Sequence, residues 1–374
     1  MDTNYRIELR LNGVLIGDVR KIAEGLTWRK CRTAYGVDEI DFSLNDRVFS
    51  DWCKERNTTI AEMLTPFALD ARVIRNGEAV VGGFLATMPS YQPQNDSATL
   101  SMRFDGYLNL LAGVYIRPTP LSTMPAGDMV AGWISDAETR ATTAGKPFGI
   151  TAGEIQPLAT IQRTFDNYKS VKEAITQLVD NIDGAGPFDV IFNPDRSYFI
   201  TNQLGKNITS WRLHYPTQLA GQSIATISAS EVQGFASHVI ALGAGETSSD
   251  PNKSTVIVSE ASNNSAIATN GYVEKLVQYS SVSRQETLDS HCYADLANAC
   301  NIRWQPEVTL LGRQTPPSPT DDYGLWIGDY VYIENEADMT GQTSGRFRIN
   351  QISVSVSDSG GEIITPELER VEDD

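Results

Sequence analysis

The sequence predicts a mainly β protein with an α/β segment inserted between two β-rich regions. Three observations carry that reading. Apolar and polar side chains alternate through the first third, the period turns helical near residue 128, and alternation returns in the last third.

The first element is a strand, because Tyr5, Ile7, Leu9 and Leu11 alternate with Arg6, Glu8 and Arg10. Asn12-Gly13 supplies the residues a tight hairpin needs, and Val14-Leu15-Ile16 starts the return. The arrangement recurs where Ala71 to Arg75 runs through Asn76-Gly77 into Ala79-Val80-Val81. Between these hairpins Ile40, Phe42 and Leu44 alternate with polar residues, and a short helix is expected from Arg47 to Arg56. Leu100, Met102 and Phe104 make a further strand ending at Asp105-Gly106. Residues 1–117 are therefore expected to form a first small, twisted β-barrel or sandwich.

Residues 118–225 read as a mixed α/β unit. Asp128 suits an N-cap, and Met129, Val130, Trp133, Ile134 and Ala137 follow at helical spacing. Ser170 with Glu173 makes a capping box for a second helix. Val171, Ala174, Ile175, Leu178, Val179 and Ile182 share its apolar face, and Gly184 is placed to stop it. Phe188 to Phe192, Asn193-Pro194-Asp195 and Ser197 to Thr201 read as a hairpin.

Residues 226–374 return to strands, at Val232 to Leu242, Val256 to Val258 and Tyr330 to Ile333. A helix at about 284–300, with Leu288, Cys292, Leu296 and Cys300 on one stripe, is expected to interrupt this second β-barrel. Phe347 and Ile349 share one parity while Ile352, Val354 and Val356 take the other, which predicts a β-bulge near Asn350-Gln351.

Length and composition bound the function. A chain of 374 residues, 41% of them hydrophobic, can bury at least two cores. The opening Met1-Asp2-Thr3-Asn4-Tyr5-Arg6 lacks the layout of a signal peptide and no apolar run reaches membrane-spanning length, so a soluble chain without a membrane anchor is expected. The net charge of −17 argues against specific nucleic-acid binding through phosphates, which needs clustered Lys and Arg. Cys31, Cys53, Cys292 and Cys300 have no metal-ligand spacing, and the last two, eight apart on a helix, rise about 12 Å, too far for a disulfide.

No pattern carries catalysis, and no catalytic, cofactor or metal residues are expected. Gly341-Gln342-Thr343-Ser344-Gly345 puts its serine one place late for a nucleophile elbow. His214, His238 and His291 are not paired at ligand spacing, and His291 and Cys292, adjacent on a helix, diverge by about 100°. Gly243-Ala244-Gly245 lacks the third glycine of a dinucleotide fingerprint, and Gly145-Lys146 and Gly205-Lys206 lack the rest of a P-loop. Trp28, Trp133, Trp211, Trp304 and Trp326 are spread singly, as core or interface residues are.

The order of the elements resembles the baseplate hub proteins of tailed phages, which share their fold with the spike base of type VI secretion systems. Val73-Ile74-Arg75-Asn76-Gly77-Glu78 with Val81-Gly82-Gly83-Phe84 is similar to a hairpin of that family's first barrel. Leu100 to Leu108, through Asp105-Gly106, resembles the strand and turn closing that barrel. The helices at Asp128 and Arg284 resemble those of the inserted domain and of the second barrel. Gly328-Asp329-Tyr330-Val331-Tyr332, Arg346-Phe347-Arg348-Ile349 and Glu362-Ile363-Ile364 resemble the closing strands. The Pro-rich loop from Thr315 to Thr320 has no counterpart, and the chain stops after the second barrel, so a hydrolase extension is not implied.

The resemblance implies a non-enzymatic homotrimer at the virion tail tip, made in the bacterial cytoplasm. Two barrels per subunit would close a ring with symmetry mates, continuing the tail tube through an acidic channel that DNA transits. Its expected partners are the distal tail protein or tail tube, and fibres, spike or tape-measure protein. The alternatives are the hub of a contractile injection system, a carbohydrate- or receptor-binding tail module, and a tail glycosidase.

Overall fold

The structure, a computed structural model, describes residues 3–94, 97–117, 119–156, 158–165, 168–179, 187–208, 212–215, 224–231, 234–245, 256–280, 282–300, 304–311, 316–321, 324–336, 338, 343–358 and 360–371. Ile182, Gly184, Trp211 and Val232 lie outside them. The fold is mainly β. Two compact units are present, one of residues 1–227 with 307–374 and one of residues 228–306.

β1 (Tyr5–Leu11) and β2 (Val14–Asp18) form the first hairpin, with Asn12 and Gly13 at φ 49° and 82°. β3 (Ala23–Cys31) and β4 (Glu39–Asn45) follow. Asn45 caps α1 (Asp46–Lys54), which buries Phe49, Trp52 and Cys53, and a full capping box of Thr59 and Glu62 opens α2 (Ile60–Met63). β5 (Leu69–Arg75) and β6 (Glu78–Phe84) make the second Asn-Gly hairpin, and β7 (Ser90–Gln94) pairs with β8 (Ser97–Gly106).

The α/β part holds β9 (Tyr115–Ile116), β10 (Thr119–Pro125), α3 (Ala126–Thr143), β11 (Thr151–Ile155), β12 (Thr160–Phe165) and β13 (Lys169–Ser170). α4 (Val171–Val179), β14 (Asp189–Phe192), β15 (Ser197–Thr201) and β16 (Leu213–Tyr215) complete it. α3 starts two residues before the predicted cap: its N-cap is Pro125, the Ala126 amide bonds to the Ala159 carbonyl, and Asp128 sits in the first turn. That position still suits a carboxylate at the positive end of the helix. The capping box of α4 is present in both directions, Glu173 N–H donating to Ser170 Oγ at 3.1 Å and Ser170 N–H to Glu173 Oε2 at 3.2 Å. Val171, Ala174, Ile175, Leu178 and Val179 are buried against α3 and the β14–β15 hairpin.

The last third begins with β17 (Ile224–Glu231). The smaller unit contains β18 (His238–Leu242), β19 (Val258–Ser262), α5 (Asn264–Asn270), β20 (Glu274–Gln278) and α6 (Gln285–Ala299). Leu288, Cys292, Leu296 and Cys300 of the predicted stripe bury themselves on Val239, Ala241 and Ala261, so the helix comes with a three-stranded sheet and a core of its own. β21 (Trp304–Leu311), β22 (Tyr330–Asn335), β23 (Gly345–Val356) and β24 (Glu362–Arg370) close the chain.

One 14-stranded sheet joins the first and last thirds, in the order β17-β21-β24-β23-β3-β4-β8-β6-β5-β1-β2, with β16, β22 and β7 off this path. Its pairings among the described residues form an open path with no closed barrel. The join is β23 to β3, where Val354 stands opposite Trp28 and Gln351 opposite Cys31. Ile7, Leu26, Trp28, Phe104, Val354 and Ile364 meet in one core cluster beneath it. The predicted bulge is present: the β23–β24 register slips between Ile349 and Gln351, leaving Asn350 as the extra residue.

Candidate functional site

Period two buries one face of the central strands and turns the other to solvent. On the outer face Thr365, Ser353, Arg29, Glu39 and Asp105 lie in one row across β24, β23, β3, β4 and β8. Ile363, Ser355, Thr27, Asp41 and Arg103 form the next. Glu24 and Glu367 add further carboxylates to the same five strands. Apart from the exposed Ile363, the residues of these rows are short polar side chains, acids and two guanidinium groups, both of which pair with Glu39; the Arg103 contact is 2.8 Å. The result is a largely hydrophilic surface with carboxylates in excess.

Burial and the neighbouring Glu39 push Asp41 up to about 6, against the pull of Arg103 and Arg29. The folded protein therefore holds this proton more tightly than the unfolded chain does, and stability falls as pH rises from about 3.8 to about 6. Asp41→Asn is expected to raise stability at pH 7 by about 1 kcal/mol, a figure reduced for solvent screening. The gain should fade below pH 4. Denaturant unfolding at the two pH values checks this, and an equal gain at both would contradict it.

Beneath the sheet, buried charges fix the α/β part to both β regions. Arg32 Nε and Nη2 donate to the Asp189 carboxylate at 3.1–3.3 Å, and its Nη1 donates to Asn350 Oδ1 at 2.7 Å. The bulge is what brings Asn350 here, since its carbonyl also accepts the Arg32 amide at 2.9 Å. Lys30 Nζ, buried, donates to Asp38 at 2.6 Å and to the Phe192 carbonyl at 2.7 Å. Arg196 grips Asp70 at 2.7 Å and lies over the Tyr107 ring at 5.1 Å. Burial raises the Asp70 carboxyl above its usual range and Arg196 opposes the rise. Gly205 and Gly328, both at φ 86°, pack back to back, and a Cβ on Gly205 would lie 2.0 Å from the Gly328 carbonyl carbon.

The residues that carry reactive chemistry in other proteins have packing partners here. His214 Nδ1 is 3.0 Å from Glu334, His238 Nδ1 is 2.6 Å from Ser262 Oγ, and His291 stacks on Tyr279 at 4.6 Å. All four cysteines are buried, and burial raises the thiols of Cys31, Cys53 and Cys292, Cys31 to about 12 and Cys53 to about 11. Ser344 Oγ bonds to the Asn335 carbonyl at 3.3 Å. The Gly243 and Ala244 amides are taken by the Ile257 and Val282 carbonyls. Gly145, at φ 87°, sits just beyond α3. Trp28 packs 6.4 Å from Trp326 in the core, and Trp133 lies at the edge of the α/β core. Among the described residues there is no group of three or more His, Cys, Asp or Glu able to hold a metal, and no helix long and apolar enough to cross a membrane.

No family profile and no curated protein matches the sequence. Solved structures do match the fold. The tail protein from Neisseria meningitidis MC58 aligns over 98% of this chain and 96% of its own, with 12% identity and a TM-score of 0.63. The prophage MuSo2 43 kDa tail protein from Shewanella oneidensis aligns over 98% of both chains, again with 12% identity and a TM-score of 0.63. The chain has the fold of these phage tail proteins. The tail-protein fold extends to a Francisella PdpA–VgrG complex, where 99% of this chain covers 53% of the matched chain at 8% identity and a TM-score of 0.54.

Proposed function

We propose that the chain is a structural hub subunit of a phage tail tip, acting without catalysis. The observation that carries the reading is the end-to-end correspondence with two tail proteins, 98% of this chain against 96% and 98% of theirs. In this reading three copies make a ring that continues the tail tube. The β regions within 1–117 and 226–374 are its two tube-like units per subunit, and the α/β segment within 118–225 is the peripheral part that meets the distal tail protein, fibres or spike. A large sheet whose pairings among the described residues stay open suits closure by neighbouring copies.

The polar face of β24-β23-β3-β4-β8 is the surface assigned to the lumen. Duplex DNA carries about one charge per 1.7 Å of axis, so a wall rich in Lys and Arg would retain it and a carboxylate-rich wall lets it slide. Cryo-electron microscopy of the intact tail tip tests the assembly directly. Three copies around the axis with Asp41 facing the channel are expected, and a lone copy away from the axis would refute the reading. Within particles, replacing Glu24, Asp41 and Glu367 by lysine is expected to slow DNA ejection, most at low salt. Unchanged ejection kinetics at every salt concentration would count against the acidic channel. The match to the PdpA–VgrG complex favours, as a second reading, the hub of a contractile injection system, which a sheath around the same tube would identify.

A further inference from the structure

We propose that the unit of residues 228–306 is a docking module whose strand β20 takes up an extended segment of a partner protein bearing basic and apolar side chains. β20 is an outer strand of the order β19-β18-β20, parallel to β18, and its far side is unpaired among the described residues. The Val273 carbonyl accepts the Ser237 and His238 amides, and the Tyr279 amide donates to the Leu242 carbonyl. A parallel ladder uses alternate residues of a strand, so Lys275 and Val277 serve β18 as well. The amides and carbonyls of Glu274, Leu276 and Gln278 then point to the open edge.

Side chains set the chemistry of the occupant. Val277 packs toward the core under α6, so Glu274 and Leu276 project from the opposite face. There Leu276, 66% exposed, lies beside Ile240, and Glu260 flanks Ile240 on its other side. Tyr272, 58% exposed, donates to Glu274 at 2.7 Å. An exposed Leu276 beside the Glu274 carboxylate on an open ladder edge fits a strand that puts an apolar side chain on Leu276 and a cation at Glu274. Main-chain bonds would supply affinity and Glu274 the choice of partner.

The probe is a short blocked peptide in which threonines alternate with lysine, valine and lysine, compared with its glutamate–valine–glutamate counterpart. Binding to the full chain is read by fluorescence anisotropy. The lysine peptide is expected to bind and the glutamate peptide not. Leu276→Pro removes an amide that faces the open edge, where proline is tolerated, and is expected to weaken binding about tenfold with the circular dichroism unchanged. Should that variant misfold, Glu274→Lys provides the second test, and the preference should invert to the glutamate peptide. Equal binding of both peptides, or a folded Leu276→Pro chain that binds as well as the parent, would overturn the proposal. So would peptides that fail to bind while Leu276→Pro lowers the oligomer mass, which would assign the edge to a second copy. The tail-tip reading is scored separately by the three-copy assembly, which needs no peptide.

Discussion

Asp189→Ala is expected to destabilise the larger unit by about 3–5 kcal/mol, the cost of stranding a buried charge after its partner is removed. The Asp189 side chain is 2% exposed and that of Arg32 is 6% exposed, so water cannot replace the lost carboxylate without opening the structure. Arg348 Nη2, 3.7 Å from the same carboxylate, loses its counter-charge too. The melting temperature should fall by on the order of 10 °C. Asp189→Asn keeps an acceptor for the Arg32 fork and should cost clearly less than the alanine variant. Thermal and denaturant unfolding of the three proteins measures the order, and an alanine variant within about 1 kcal/mol of the parent, as for an exposed pair, would contradict the role assigned to this node. Two neighbouring contacts should persist, since Val190 N–H still donates to Thr33 Oγ1 and Lys30 still reaches the Phe192 carbonyl.

Much of the local structure was legible in the sequence because its causes are local. Asn12-Gly13 and Asn76-Gly77 adopt positive φ because a two-residue hairpin demands it, and Ser170 and Glu173 cap each other within one turn. The bulge at Asn350 could be read as a change of parity between Ile349 and Ile352. Partner choice was not legible. Alternation says that β3 and β23 each have a buried face, but nothing near Trp28 states that Val354 will stand beside it across more than three hundred residues. The separate sheet around α6 was missed for a related reason. Its strands are short, and β20 is exposed at Glu274, Lys275 and Leu276, so its composition carries little alternation. The polar nodes were invisible for a third reason: Arg32, Asp189 and Asn350 are unremarkable singly and acquire meaning only when a strand, a hairpin and a bulge bring them together. The outer face of the sheet was legible only in part, as the polar halves of the strands through Ile40 to Leu44 and Leu100 to Phe104; β3 was not read as a strand, and membership of the face depended on register.

Glu362→Ala is expected to have a comparable effect at the opposite junction, about 3–5 kcal/mol, because it strands Arg75. Arg75 Nε and Nη2 donate to Glu362 Oε1 and Oε2 at 2.6 and 2.8 Å, with side-chain exposures of 8% and 1%. The Tyr5 hydroxyl donates to the same carboxylate, and burial together with the Glu362 charge keeps that phenol protonated far above its ordinary range. The pair ties β5 of the first third to β24 of the last, and it therefore tests how the two regions share stability. If they were independent folding bodies, Glu362→Ala would lower the melting of one and leave the other unchanged, giving two transitions. The shared core beneath β3 and β23 instead predicts that the 1–227 and 307–374 segments unfold together. Hydrogen exchange resolved by peptide should show amides of β1, β5, β23 and β24 losing protection by the same increment in this variant. Loss confined to β24 would mean that the large sheet is two bodies joined at an edge, and the proposed ring would then have to be built from units that move separately.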